Sequence, residues 1–142
     1  MLVLNQDEVM ALLEPGALIA ALEEGFRALS EGQVEAPARS QVRSPAGALL
    51  VMPAGLPGEA LSVKLVSVFH DNTDRPSHQA LVVLFDAQNG SPLALLDGAA
   101  ITTSRTAACS MIAVGLLARA DAKVAAVIGA GAQGQAHARM LA

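Results

Sequence analysis

Two sets of residues in this 142-residue chain are of types and at spacings that could do chemistry. The first is a Gly-x-Gly-x-x-Gly run that follows the apolar segment KVAAVI. At a strand-to-helix turn the first glycine permits the tight turn, the second lets a pyrophosphate approach the backbone, and the third lets helix pack on strand. Free N–H groups at the helix start then bind the anion. The pattern predicts a dinucleotide-binding turn formed by Gly129, Gly131, Ala132, Gln133 and Gly134.

The surroundings of this motif matter, because glycine spacing alone also arises by chance in a chain rich in Ala and Gly. Here a strand-like segment precedes the glycines and the helix-compatible sequence QGQAHARMLA follows them. A complete site also needs a second strand with an acidic residue roughly 20 positions further on. That position lies past residue 142, so we expect the chain to be the front part of a larger nucleotide-dependent protein.

The second set consists of cations in apolar surroundings. Lys64 interrupts the strand-like run LSVKLVSVF, where alternation places it on the face of Ser62 and Val66. Arg105 stands near the start of a predicted helix, where a positive charge opposes the helix dipole and would be balanced by an anion. Arg39 follows Pro37 at the entry to the predicted strands. Each of the three could instead be a solvated surface side chain.

Other kinds of site find little support. The three histidines share no metal-ligand spacing and have no cysteine partner, so we expect no metal site. Cys109 lies in an apolar helical run and is typical of a small core residue. No Gly-x-Ser-x-Gly elbow is present for a serine nucleophile.

Composition narrows the class of protein. Charged residues make up 15% of the chain and hydrophobic residues 53%, which indicates apolar faces covered by further sequence or by another subunit. A net charge of −4 with three Phe and no Trp or Tyr provides neither the basic surface nor the stacking rings that nucleic acid requires. We expect a cytoplasmic protein, with no disulfide, no apolar run near the ~18 residues that span a membrane, and no signal peptide.

The pattern of elements predicts an α/β chain. After a short strand at residues 2–4, Asn5 caps a first helix through Leu13, and Pro15 begins a second that Gly32 stops. Strands joined by short turns then predict an antiparallel sheet, at residues 40–44, 48–52, 61–69, 80–86 and 92–96. A helix over residues 104–117, capped by Thr102 or Thr103, leads to the final strand at residues 123–128. We place a substrate and dimerisation domain at residues 1–120 and the start of a dinucleotide-binding domain at residues 121–142.

The order of several independent motifs resembles the ornithine cyclodeaminase and mu-crystallin family. These are VMPAG at Val51, KLV at Lys64, HDN at His70, SHQALVVLFDAQNGSPLALLDG from Ser77, ITTSRTAACS from Ile101 and GAGAQG at Gly129. The resemblance covers essentially the whole chain. It implies a two-domain protein in which the N-terminal part and a returning C-terminal segment form the substrate and dimerisation domain. A Rossmann domain that binds NAD or NADP is inserted between them.

The resemblance also implies roles for the cations. Arg39, Lys64 and Arg105 match the family positions that hold the substrate α-carboxylate, and Lys64 also lies near the reacting carbon and nitrogen. Two fixed cations are the expected clamp for a carboxylate, because Arg supplies planar bidentate hydrogen bonds. In the cyclodeaminases an aspartate past residue 142 is the expected acid/base group. We therefore expect these 142 residues alone to be catalytically incomplete.

The activity that the resemblance implies is hydride exchange between a nicotinamide and the α-carbon of an amino acid or imino acid. Cyclodeaminases, alanine dehydrogenases and cyclic imino acid or ketimine reductases all belong to the family. The stretch Pro76-Ser77-His78-Gln79 resembles the reductases slightly more. A non-catalytic, crystallin-like binding protein or dimerisation fragment is the alternative. A homodimer and a small amino acid or imino acid ligand are the expected partners, with neither nucleic acid nor membrane.

Overall fold

The chain forms six strands and four helices in a computed structural model that describes all 142 residues. The strands are β1 (Leu2–Leu4), β2 (Ser40–Ser44), β3 (Gly47–Leu56), β4 (Ala60–Val68), β5 (His78–Phe85) and β6 (Pro92–Asp97). The helices are α1 (Gln6–Leu12), α2 (Pro15–Ser30), α3 (Gly98–Leu117) and α4 (Ala132–Leu141). The strands make one sheet in the order β1-β6-β5-β4-β3-β2. All neighbours are antiparallel except β1, which runs parallel to β6. The predicted α/β class with a mainly antiparallel sheet is confirmed.

Local signals placed the first two helices correctly. The Asn5 side chain accepts a hydrogen bond from the Glu8 N–H at 3.1 Å, while the Glu8 carboxylate accepts one from the Asn5 N–H at 2.8 Å. This reciprocal capping box fixes the start of α1. Pro15 occupies the first turn of α2, where its missing N–H has no helical partner to lose.

Two predicted boundaries are wrong. Strand β3 continues beyond residue 52, because it pairs with β4 as far as Leu56. Pro53 is tolerated there because it lies between the first pair of β2, Ser40 with Val51, and the isolated bridge of Glu35 with Gly55. Helix α3 begins at Gly98 rather than after Thr102 or Thr103. Its cap is Asp97, whose carboxylate accepts from the Ala100 N–H at 2.8 Å.

The early start of α3 has two consequences. A Cβ added at Gly98 would lie 2.8 Å from the Cβ of Ala80, so only glycine lets the helix begin this close to β5. The helix is also 20 residues long and apolar enough, by length and composition alone, to cross a membrane. The expectation that no such run exists is therefore wrong. Helix α3 also contacts β4, β5 and the other three helices.

The predicted final strand at residues 123–128 does not form. These residues pair with no strand of the sheet, and a strand needs a hydrogen-bonded neighbour. Val124 is 91% exposed and Ile128 fully exposed. The proposed domain boundary at residue 120 falls in the turn between α3 and this segment, where Arg119 pairs with Asp121 at 2.8 Å.

The two faces of the sheet differ in what covers them. On one face, Val66, Ala80 and Ala94 are buried; α3 contacts β4 and β5 on the helix-covered side, and α1 contacts β6. Ala107 and Ala108 of α3 are fully buried, so the core lies between this helix and this face. The register places a row of exposed apolar side chains on the other face: Val3, Val42, Leu49, Leu61 and Leu81. We call this row the open sheet face.

Candidate functional site

Lys64 lies at the centre of the candidate site, on the sheet face that α3 covers. Its Nζ donates a hydrogen bond to Oγ1 of Thr102 at 2.6 Å. Thr102 Oγ1 in turn donates to the Gly98 carbonyl at 2.5 Å, so its lone pairs face the lysine. The sequence prediction that Lys64 shares a face with the buried Val66 is correct. Lys64 points at the helix rather than into bulk water.

Arg105 is the second cation near this point. It stands three residues after Thr102 in α3, which puts the two on the same side of the helix. Partial burial lowers the pKa of Lys64, and the positive charge of Arg105 lowers it further. Arg105 itself is exposed, but it lies near enough for its charge to act on Lys64, although 41 residues separate the two in the sequence.

Arg39 lies at the edge of this arrangement. It immediately precedes β2, whose first pair is Ser40 with Val51. The next residue of β3, Met52, pairs with Lys64. Arg39 is exposed and makes no hydrogen bond or ion pair with Lys64. The structure thus places Arg39 level with Lys64 along the strands, two strands away at the sheet edge, and no hydrogen bond or ion pair joins it to either of the other two cations.

No carboxylate balances these charges. The ion pairs of the chain join Arg75 to Asp74 and Arg119 to Asp121, and both lie in other parts of the structure. A partly buried ammonium beside a guanidinium is stabilised when an anion binds between them. A carboxylate suits both groups, since it can accept from the ammonium and take two parallel hydrogen bonds from the guanidinium. The arrangement has the charge and donor groups that a carboxylate ligand would need.

The glycine run forms a turn of the kind that the sequence predicts. Gly129 has φ +108°, which only glycine adopts without strain. A Cβ at Gly134 would overlap the Gly129 carbonyl oxygen, whereas a Cβ at Gly131 would contact nothing. Gly131 caps α4 without any side-chain hydrogen bond, so the N–H groups of the first helical turn stay available to a ligand. These features fit a pyrophosphate cradle.

Thr102 is a site residue that sequence reasoning assigned to a different role. It was expected to cap α3, but it lies inside the helix and anchors Lys64. Its position three residues before Arg105, on one helix face, was the available signal. No cluster of three or more metal-ligating side chains forms anywhere in the chain.

Replacement of Thr102 tests whether this anchor matters. Thr102→Val keeps the shape but removes the acceptor, and we expect the affinity for a carboxylate ligand to fall about tenfold, the value of one hydrogen bond to a charged group. Thr102→Ser should restore it. Thr106→Val is the matched control, because Thr106 bonds only its own helix, at Thr102 O. Isothermal titration of a carboxylate ligand into the intact protein measures the affinity of all three variants. Equal affinities for Thr102→Val and Thr106→Val would contradict the role of Thr102 in holding Lys64.

A mainly antiparallel sheet packed against helices, a partly buried lysine near an arginine, and a dinucleotide-type glycine turn define the class of this chain. The sequence profile of the Ornithine cyclodeaminase/mu-crystallin family matches residues 1–142. The chain belongs to this family.

Individual relatives agree with the family match. The chain is 43% identical to ketimine reductase mu-crystallin of Mus musculus over 143 residues, which cover 94% of this chain and 46% of the relative. Thermococcus litoralis Delta(1)-pyrroline-2-carboxylate reductase, solved in complex with NADH and L-proline, superposes with TM-score 0.90 at 37% identity, over 99% of this chain and 45% of that one. An archaeal alanine dehydrogenase dimer with bound NAD superposes with TM-score 0.90 at 34% identity, over 99% of this chain and 44% of that one. The chain thus spans about half the length of these relatives.

Proposed function

We propose that this chain provides the substrate side, and the first turn of the cofactor site, of an NAD(P)-dependent enzyme that acts at the α-carbon of an amino acid or cyclic imino acid. The observation that carries the proposal is the partly buried Lys64 with the exposed Arg105 near it, neither of which has an acidic partner. An α-carboxylate is the anion that amino acids and imino acids share. The relative that was solved with L-proline supports this class of ligand.

The cofactor part of the proposal rests on the glycine turn. The open space at Gly131 and the uncapped start of α4 fit the pyrophosphate of NAD or NADP, which Gly129, Gly131, Ala132, Gln133 and Gly134 would hold. A bound nicotinamide supplies hydride transfer. The relatives solved with NADH and NAD favour the same cofactor class.

The residues of the chain bind and orient the substrate. Arg105, with Arg39 at the sheet edge, would hold the carboxylate by bidentate hydrogen bonds. Lys64, fixed by Thr102, would contact the same carboxylate and lie beside the reacting carbon and nitrogen. Clamping the carboxylate on one side fixes the direction in which the α-carbon points, which is the main contribution of orientation to the rate.

Among the activities of the family, we favour reduction of a cyclic imine. The experiment follows reduced-nicotinamide absorbance with the intact protein and four substrates: a five-membered cyclic imino acid, a six-membered one, pyruvate with ammonia, and ornithine. We expect turnover with a cyclic imino acid to exceed that with the other two. Conversion of ornithine to proline without net change in the nicotinamide would instead indicate a cyclodeaminase. Cofactor or carboxylate binding without any turnover would identify a non-catalytic binding protein.

We further propose that the protein is a homodimer built on the open sheet face. Val42 is 68% exposed, and Leu49, Leu61 and Leu81 are each more than 40% exposed. A contiguous apolar face of this extent marks an interaction surface. A second copy could bury the same residues on both sides of a two-fold axis, and the alanine dehydrogenase relative was solved as a dimer.

Leu81→Glu tests the dimer. Leu81 pairs with Leu65 on one side and Asp97 on the other in the open sheet face, so a carboxylate there would be buried when a second copy covers this face. We expect the dimer dissociation constant to rise at least about tenfold, given about 1.5–3 kcal/mol for each lost apolar side chain. Leu12→Glu, 70% exposed on α1, is the control. Sedimentation equilibrium measures both, and unchanged association of the Leu81 variant would place the interface elsewhere.

The lowered pKa of Lys64 predicts how binding depends on pH. Bound carboxylate stabilises the charged ammonium, so affinity is full where free Lys64 is protonated and falls as pH rises through its pKa. Because burial and Arg105 hold that pKa below the ordinary lysine range, we expect the fall to begin at a lower pH than it would for an exposed lysine. Lys64→Arg should move the fall to higher pH. Titration of a carboxylate ligand at a series of pH values measures this dependence of the affinity. An affinity that does not change with pH would exclude Lys64 from the carboxylate clamp.

A further inference from the structure

The imidazole of His137 makes the one side-chain hydrogen bond that joins the cofactor-turn helix α4 to the substrate-site helix α3. Its Nε2 lies 2.8 Å from Oγ of Ser110 in α3. Its Nδ1 lies 2.7 Å from the carbonyl oxygen of Gln133, within the cofactor turn. Both His137 and Ser110 are half-buried. One ring therefore bridges the glycine turn and the helix that carries Arg105.

The hydrogen-bond partners determine which nitrogen carries the proton. A carbonyl oxygen only accepts, so Nδ1 must donate to Gln133. In the neutral ring Nε2 is then the acceptor, and the Ser110 hydroxyl donates to it. The alternative acceptor of that hydroxyl, the Thr106 carbonyl, is further away at 3.3 Å. Both ring nitrogens are satisfied in this one tautomer.

Helix α3 connects this bridge to the carboxylate site. Ser110 follows Arg105 by five residues and Thr102 by eight on the same unbroken helix, so at 1.5 Å per residue they lie about 8 and 12 Å apart along its axis. A helix transmits position rigidly over two turns. Fixing α4 against Ser110 therefore fixes the glycine turn relative to Lys64 and Arg105.

We propose that His137 is a positioning residue that holds the dinucleotide turn in register with the carboxylate clamp. The proposal rests on the proposed function in that the turn binds a nicotinamide cofactor. Residues 118–131 join the two helices, and none of them pairs with a strand of the sheet, so no sheet hydrogen bond of the connecting chain holds α4 in place. The His137 bridge supplies the side-chain hydrogen bond between the two helices, which are also in contact with each other.

Four variants of the intact protein separate the two bonds of the ring. His137→Gln places its amide group near the position of the imidazole Nε2 and can keep the hydrogen bond to Ser110. His137→Asn places its amide group near the position of Nδ1 and keeps only the hydrogen bond to the Gln133 carbonyl. We expect His137→Gln to stay within about twofold of wild type, and His137→Asn to lose about five- to tenfold in NADH affinity and more in kcat, since one part-buried hydrogen bond is removed. Ser110→Ala should match His137→Asn. The double variant His137→Asn/Ser110→Ala should be no worse than either single variant, because both remove the same bond.

The control is Arg139→Gln, an exposed position on the same helix that makes no hydrogen bond to α3. A second readout does not depend on turnover: amide hydrogen exchange of α4 should be slowed in wild type and His137→Gln, and faster in His137→Asn and Ser110→Ala. Equal defects in the Gln and Asn variants, additive losses in the double variant, or unchanged exchange would overturn the bridge. If nicotinamide binding is absent in wild type while the exchange pattern holds, the proposed function fails and the bridge between helices stands.

Discussion

Lys64→Met is expected to lower kcat/KM of the intact protein for its amino or imino acid about 10²–10³-fold. The change removes the ammonium that Thr102 aims into the site and leaves a carboxylate without its partner. Truncating one member of a desolvated, hydrogen-bonded charge pair costs about 2–5 kcal/mol, and each 1.4 kcal/mol is about tenfold. The measurement is steady-state kinetics at saturating cofactor, with cofactor affinity determined separately.

The control for this loss is another cation on the same sheet. Arg43 is an exposed residue of β2 and has no ion-pair partner. Arg43→Gln should leave kcat/KM within about twofold of wild type, because exposed surface charges contribute little. Cofactor affinity should be unchanged in both variants. If Lys64→Met kept most of its activity, or lost it only together with cofactor binding, the carboxylate clamp would be wrong.

Gly131→Ala is expected to weaken cofactor binding about 5- to 150-fold without loss of stability. The backbone at Gly131 has φ −71°, which alanine adopts freely, and an added Cβ meets no atom of the chain. The methyl group therefore projects into the space where a pyrophosphate would approach the backbone. Overpacking of this kind costs about 1–3 kcal/mol. Fluorescence titration with NADH and thermal unfolding measure the two properties.

Gly134→Ala provides the contrast. Its Cβ would overlap the Gly129 carbonyl oxygen, so the turn itself must move, and we expect the stability of this region and cofactor affinity to fall together. Loss of affinity without loss of stability at Gly131, and loss of both at Gly134, is the pattern that distinguishes a ligand cradle from a packing motif. Equal stability losses at the two positions would show that Gly131 serves only the fold.

Local patterns in the sequence determined much of the fold. Asn5 with Glu8, and Pro15, marked helix starts because capping uses atoms within one turn. Alternation in LSVKLVSVF put Lys64 and Val66 on one face, because successive side chains of a strand point to opposite sides. The glycine spacing identified a turn whose backbone requires it, as the positive φ of Gly129 shows. Each of these relations spans only a few residues.

Only the tertiary structure decided how the elements meet. The local sequence predicts that Thr102 caps the helix, but Asp97 is the capping residue. Thr102 instead lies inside the helix and accepts a hydrogen bond from Lys64, 38 residues away. The apolar residues 123–128 read as a strand, yet strand formation depends on a neighbour that no local pattern supplies. The bond between Ser110 and His137 likewise depends on the packing of α4 on α3. The sequence by itself therefore determined the chemical groups of this protein, whereas the contacts between distant elements decided which of those groups act together.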